Sequence, residues 1–377
     1  MIKLVLRQLL LDKGNTVITL LALSAAVAVI VILLGFEQGQ YQQLKFASLN
    51  RGADLIAVQS NIKNFVATRS VIPQQARAQI ESIAGVIAAH PITTLPVIYK
   101  HGAMQTPVYM IVFDSSGGPA QLIDGTAKTL GQYIVVDESL AKQYRLNVGD
   151  EFVVAGFSFE VSGITKEAAF MTPFAFVNYD GLIDFFMDSE VASDLSTFPL
   201  LSFMLIDVED VAVLHQVSES IERTVGSIDV YTPEEIANND VRLGKGFYKP
   251  ILGLLISVGF LLGSLLICLL MFSTVNRYKR DFAVMMALGF QTRSLLVYTF
   301  SSSFILIILA LLLGLALSNY IVMFIESARP VYYFAIFHPD VLVKAVAAIS
   351  VFGLLGAIAP YLAIRKTDPV IALQSVS

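Results

Sequence analysis

Charge is scarce in this sequence. Asp, Glu, Lys and Arg make up 15% of its 377 residues, 55% are hydrophobic, and the mean hydropathy is +0.70; soluble domains carry about 25% charged residues. Cysteine is nearly absent. Cys268 stands alone within an apolar run, which excludes an intrachain disulfide and reads as a small hydrophobe on a helix. The short motifs of catalysis are missing too. The one Gly-Lys pair, Gly244-Lys245, is followed by Gly246 and has no glycine at the upstream position that a phosphate loop needs. There is no His-Glu-x-x-His, and His90, His101, His215 and His338 are too scattered for a zinc site. No serine sits in a nucleophile elbow. Asp137 and Glu138 adjoin, but neighbours in a strand point to opposite faces, so both read as surface charges. Hydrolytic and redox catalysis are therefore not expected, nor is a metal or cofactor bound directly by this chain.

The apolar residues gather in four runs. Residues 17–36 form an unbroken stretch whose only hydroxyls are Thr19 and Ser24. At ~1.5 Å rise per residue it covers ~30 Å, the thickness of a bilayer core. It ends at Gly35-Phe36-Glu37-Gln38 rather than at a small-residue cleavage site, so an uncleaved anchor is expected. Further spans are expected over 251–272, 296–325 and 341–362. The third is longer than one crossing and must tilt or begin outside the bilayer. Four crossings place both termini on one side. The pieces expected in the cytoplasm, 1–16, 273–295 and 363–377, carry nine basic against three acidic residues, hence +6, which leaves −11 of the net −5 for the rest. That asymmetry fits the positive-inside rule, with Lys245 and Lys249 as mild exceptions beside a long domain. Residues 1–16 place Ile2, Val5, Leu6, Leu9 and Leu10 on one helical face, and read either as an interfacial helix or as an extension of the first span. No carboxylate or histidine lies at membrane depth, which argues against an ion-driven carrier. Gly259 with Gly263, Ala22 with Ala26, and Gly353 with Ala357 have the spacing of close helix packing.

Between the first two spans lies a polar block, 37–248, expected to be an extracytoplasmic α+β domain. Two stretches read as strand–helix–strand: 53–59, 73–83 and 86–89, with Pro73 in the first helical turn, and 202–208, 211–225 and 228–231. These predict an α/β module drawn from 37–95 and 200–248. Residues 96–199 predict a strand-rich insert, with strands near 131–136, 152–155 and 159–164 and a short helix at 139–144. Residues 326–340 form a short extracytoplasmic loop, and 363–377 a cytoplasmic tail.

The loop at 273–295 is basic first, through Arg277, Lys279 and Arg280, then apolar at helical spacing to Gly289. With Arg280, Asp281, Ala287, Leu288 and Gly289 it resembles the FtsX/MacB-like permease family of ABC systems, the mechanotransmission type. Asp281 stands where that family usually has Glu, and Ala283 where it has Gly. The tail Asp368-Pro369-Val370-Ile371-Ala372-Leu373 resembles the family's, as do 136–141, 146–150 and 159–164 and the order of spans. The compact size and the exit from the first span are similar to the short branch that includes HrtB-like heme and DevC-like glycolipid exporter permeases.

The resemblance implies a membrane α-helical fold with the domain inserted after the first helix. It implies a homodimeric permease of the inner membrane, paired with a cytoplasmic ABC ATPase dimer that binds ATP and Mg, and in some relatives with a periplasmic adaptor. The coupling helix would lie at 273–295, with Arg277, Arg280, Asp281, Met285, Ala287, Leu288 and Gly289 facing the ATPase. The cargo would be hydrophobic or amphiphilic, with no nucleic acid involved. Phe36, Glu37, Tyr41, Phe247 and Tyr248 either contact it or form an interfacial aromatic belt. The alternative is a signal transducer that activates an extracytoplasmic partner without transport.

Overall fold

The computed structural model describes residues 7, 13–66, 69–188, 200–277 and 292–351. They divide into two compact units, one of Met1–Gly39, Lys249–Ile325 and Phe334–Ser377, the other of Gln40–Tyr248 and Glu326–Tyr333. In chain order the elements are α1 (Lys13–Leu49), β1 (Leu55–Gln59), β2 (Ile72–Pro73), α2 (Ala76–Glu81), β3 (Val86–His101), β4 (Met104–Phe113), β5 (Leu122–Gly125), β6 (Tyr133–Asp137), α3 (Glu138–Tyr144) and β7 (Glu151–Val154). There follow β8 (Phe157–Thr165), β9 (Ala168–Ala169), β10 (Thr172–Asn178), α4 (Tyr179–Asp188), β11 (Leu200–Leu201), β12 (Phe203–Val208), α5 (Leu214–Val225), β13 (Ile228–Tyr231), α6 (Pro233–Arg277) and α7 (Thr292–Ala328). A last described helix, α8, covers 339–351.

The first unit is helical. Val27, Ile30, Val31 and Leu34 of α1 pack with Ile256, Val322, Val341, Ala345 and Ile349 in one core. Small residues allow close approach. A Cβ on Gly314 would lie 2.6 Å from Val27 Cβ and 3.0 Å from the Ser24 carbonyl, and one on Gly35 would lie 3.1 Å from Ile336 Cα. The opposite faces of these helices, with Leu254, Leu261, Leu262, Leu269, Leu312 and Phe324, stay more than half exposed. Apolar side chains facing outward in numbers suit lipid rather than water. Three described helices are long and apolar enough to cross a membrane: Thr16–Leu49, Pro233–Gly263 and Phe304–Ala328. The expected fourth span is helical as far as 351 and then leaves the described residues.

The second unit is built on one 11-stranded sheet with path β13-β1-β12-β3-β4-β10-β6-β8-β5, to which β7 adds on β8 and β9 on β10. The pairs β10–β4 and β6–β8 are parallel, and the rest of the sheet is antiparallel. α2 and α5 cover one face through Ile80, Val217 and Ile221, packed on Leu55, Ala57 and Ile206. α3 and β7 close the far end around Phe152, Phe159 and Tyr99, whose ring stacks on Phe152 at 4.0 Å.

Three sequence expectations are corrected here. Pro73 belongs to the two-residue strand β2, and the helix begins later, at Ala76. The strand expected at 86–89 continues to His101 through Pro91 and Pro96, which pair with Met204 and Tyr109. The sheet therefore shows no seam at 95/96, and a single core joins Ile56 and Leu205 with Ile111 and Phe176 across the expected module and insert. Third, Asp137 is not a surface charge: it is 3% exposed and caps α3.

Candidate functional site

The helix α1 does not stop where its apolar run does. Beyond 36 the side chains become mixed, but Tyr41, Leu44 and Ala47 recur at helical spacing and are buried against Ile56, Val58, Phe174, Phe176 and Phe203. Ser48 donates from its hydroxyl to the Pro233 carbonyl at 3.3 Å. Gly52, at φ +71, turns the chain away. Just before it comes Arg51, a residue only 1% exposed.

Arg51 is the centre of a polar network inside the sheet domain. Its Nη1 donates to the carbonyls of Gly117 at 2.6 Å and Gly118 at 2.9 Å, and its Nη2 to Glu167 Oε2. Its guanidinium carbon lies 5.1 Å from the centre of the Phe176 ring. Burial lowers the Arg51 pKa and Glu167 opposes that shift, but a guanidinium stays charged in proteins. Glu167 Oε1 in turn accepts from the amides of Ala120 and Gln121 and from the Thr165 hydroxyl. The Glu167 amide donates to Asp137 Oδ2 at 2.8 Å, while Asp137 Oδ1 accepts from the Ser139 amide and hydroxyl. Desolvation pushes the Asp137 carboxyl up to about 7, against these hydrogen bonds. A chain of contacts thus runs from the end of α1 through β8–β9 to the start of α3.

α6 enters the same unit from the other end of the sequence. Thr232 and Glu235 form a capping box: the Thr232 hydroxyl accepts from the Glu235 amide, the Thr232 amide donates to the Glu235 carboxylate, and Pro233 takes the first helical position. One turn on, the buried Asp240 carboxylate accepts from the amides of Phe65 and Val66. Gly244 lets the helices meet, since a Cβ there would lie 2.6 Å from Leu44 Cδ1 and 2.7 Å from Phe170 Cζ. Phe170 also stacks on Tyr248 at 4.3 Å. It sits with Met171 in the two-residue β9–β10 hairpin loop, at φ 50 and 60. Primed hairpin turns need positive φ at both central residues, usually as Asn-Gly, and bulky residues rarely take it.

Beside this network is a cavity of about 240 Å³, lined by Gln43 and Phe46 of α1 and Asn50 just past its end, by Asp137 and Phe174 of the sheet, by Lys166 and Glu167 between β8 and β9, and by Tyr333.

Residues 16–224, more than half of the chain, match the MacB-like periplasmic core domain, and 253–369 match the FtsX-like permease C-terminal domain. The chain is an ABC transporter permease of the FtsX/MacB-like family. The permease is 22% identical over 371 residues to uncharacterised ABC transporter permeases of Mycobacterium tuberculosis and Mycobacterium bovis, with 97% of each chain covered. Among solved structures it is similar to the periplasmic region of MacB from Actinobacillus actinomycetemcomitans, at TM-score 0.37 and 12% identity, over 51% of the permease and 94% of that chain. It is also similar to the extracellular domain of YknZ from Gram-positive bacteria, at TM-score 0.36 and 12% identity, over 48% and 99%. The match to the family makes the permease a membrane protein and implies an ATPase partner.

The permease distributes the sequence-selected residues unevenly. Phe36, 5.3 Å from Phe334, and Glu37 belong to the helical unit, whereas Tyr41, Phe247 and Tyr248 belong to the sheet unit. Tyr41 is core and Tyr248 stacks on Phe170, while Phe247 is 68% exposed. Gly259 and Gly263 lie against α1: a Cβ on Gly259 would be 3.3 Å from Leu33 Cδ1, and one on Gly263 would be 3.8 Å from Ala26 Cβ. Arg277 ends α6, and Arg280, Asp281, Met285, Ala287, Leu288 and Gly289 lie outside the described residues. Sequence reasoning missed Arg51, Glu167, Asp240 and Gly244. No local signal links Arg51 to a carboxylate 116 positions away. Asp137 did carry one, since an aspartate followed by Glu-Ser-Leu-Ala is a helix-capping pattern.

Proposed function

We propose that this permease couples ATP hydrolysis by a separate cytoplasmic ATPase dimer, which holds ATP and Mg, to a shape change in its extracytoplasmic domain. The change exports a hydrophobic or amphiphilic molecule of the heme, glycolipid or drug-like kind. The working unit is two copies of the permease on two ATPase subunits, with a periplasmic adaptor where the pump crosses a second envelope layer. ATPase closure would act through 277–289 and tilt the helices on either side of the inserted domain.

The observation that carries this reading is the burial of Arg51 immediately after α1, bonded to Gly117, Gly118 and Glu167. A helix end held in the sheet by a charge cannot be displaced without displacing 117–121 and 165–167. The permease's own residues need no catalytic role in such a lever, and the partner supplies the hydrolysis.

The test uses the permease and its ATPase reconstituted in vesicles. Spin labels are placed on exposed sites of the sheet domain in a Cys268→Ala background, and efflux of amphiphilic dyes is followed in parallel. ATP should change the label distances and drive efflux. Arg51→Met should leave ATP hydrolysis running while both responses fall away. Wild-type efflux from Arg51→Met, or nucleotide hydrolysis by the permease alone, would overturn the reading. A shape change with no molecule moved would instead favour the signalling alternative.

A further inference from the structure

The cavity beside the Arg51 network holds an unusual pair of ionisable groups. Three ionisable groups of opposite signs line it: Asp137, Lys166 and Glu167. Glu167 is neutralised by Arg51. The other two have no counter-charge among the described residues. Asp137 takes its hydrogen bonds only from neutral donors, the Ser139 amide and hydroxyl and the Glu167 amide. A carboxylate has about four lone-pair sites, and these donors use three. Lys166 is exposed at the rim with its Nζ 5.9 Å from the centre of the Tyr333 ring, and no carboxylate pairs with it among the described residues. Gln43 adds a free acceptor: its Nε2 donates to the Val331 carbonyl at 3.1 Å, but its buried Oε1 has no partner among the described residues. Phe46 and Phe174 supply apolar wall.

A buried carboxyl and a lone amide oxygen call for a donor, most strongly an ammonium. A lone rim ammonium calls for an anion. Aromatic walls in the same cavity suit an apolar attachment and also favour a cationic group over a ring face. A purely cationic ligand would meet Lys166, and a purely anionic one would meet Asp137. The volume takes a head group and the beginning of its apolar part. We propose that this cavity is a binding site for a small zwitterion, with its ammonium at Asp137 and Gln43 and its anionic group at Lys166. The chemistry is that of an aminoalkyl phosphate, whether free in solution or as the head of a membrane lipid. The assignment concerns binding, and stands whether or not the bound molecule is the cargo.

The experiment is calorimetric titration of the full-length permease in nanodiscs of anionic phosphatidylglycerol. The probes are phosphoethanolamine, ethanolamine with only the positive group, and glycerol phosphate with only the negative group. Phosphoethanolamine should bind at least about tenfold more tightly than either, one good charge-assisted contact being worth that much. Lys166→Gln, a change at an exposed position, should weaken it about fivefold and so remove most of its advantage over ethanolamine. Asp137→Asn, which keeps an acceptor for the α3 cap, should abolish its advantage over glycerol phosphate. A second arm compares the thermal midpoint of the wild type in phosphatidylethanolamine and phosphatidylglycerol discs. A rise with phosphatidylethanolamine that Lys166→Gln removes, without binding of the free head group, assigns the lipid as the source; binding of the free head group assigns a soluble one. Equal affinity for the singly charged probes overturns the proposal. So does absence of both head-group binding and a Lys166-dependent lipid effect, and neither result bears on ATP-driven export.

Discussion

Replacing Glu167 with glutamine strands a full positive charge in the interior, whereas replacing Arg51 with methionine strands a negative one, and the two do not cost the same. Arg51 cannot lose its proton at accessible pH, and in Glu167→Gln it is left with neutral acceptors alone, the carbonyls of Gly117 and Gly118 and at most the glutamine's amide oxygen, its Nε having no partner among the described residues. Glu167 without Arg51 still accepts from Ala120, Gln121 and Thr165. Removing one member of a buried pair costs about 3–5 kcal/mol. We assign the upper part of that range, about 4–5 kcal/mol, to Glu167→Gln and the lower part, about 3 kcal/mol, to Arg51→Met, from the number of surviving partners. The double variant removes both charges, so it should cost less than Glu167→Gln alone. Hydrogen exchange of the full permease in nanodiscs reads this at the Ala120 and Gln121 amides, whose acceptor is Glu167. A loss of about 4 kcal/mol accelerates their exchange about a thousandfold. The reasoning is refuted if Arg51→Met is the more damaging single change, or if the two costs simply add in the double variant.

Asp137 predicts a pH dependence of defined sign. Its pKa rises from 3.8 to about 7 on folding, so between those values the folded domain holds a proton that the unfolded chain has released. Stability therefore falls as pH climbs through that window, by about 4 kcal/mol in all. The wild-type thermal midpoint should drop between pH 5 and pH 8 by more than that of Asp137→Asn. In the helical unit, Gly314→Ala should cost about 1–3 kcal/mol by overpacking, since its new methyl meets Val27 and the Ser24 backbone, whereas Gly259→Ala meets only the flexible end of Leu33 and gains up to about 1 kcal/mol of helix propensity. Thermal inactivation in detergent should separate the two. Gly244→Val should force Leu44 and Phe170 away from α6, and its thermal midpoint should fall well below that of Gly246→Val, where an added Cβ meets nothing.

The long apolar runs and the helical spacing of Val217 and Ile221 made α1, α6, α7 and α5 legible, because burial against lipid or sheet imposes one periodicity over many residues. β13 could be read from its alternation, and β12, β6 and β8 as short apolar runs between turn signals. β3 could not be read whole. Pro91 and Pro96 are breakers by composition, yet the structure seats them in register opposite Met204 and Tyr109. The Phe170-Met171 turn was invisible because neither residue has turn chemistry. Arg51 and Glu167 were invisible because their pairing is a tertiary fact, made by α1 ending where β8 and β9 pass. The motif-bearing loop drew attention to 277–289, while the best-defined polar site of the permease lies in stretches that look ordinary.

The loop at Phe170 and Met171 is a structure unable to hold itself. Each residue occupies a backbone region that costs about 1–3 kcal/mol outside glycine, and the deficit is met from outside, by the ring of Tyr248 and the bare flank of Gly244. Such a loop behaves as a gauge of its neighbour. While α6 keeps those two residues beneath it the hairpin stays wound, and any withdrawal of that support should let 170–171 unwind first, before the strands on either side notice.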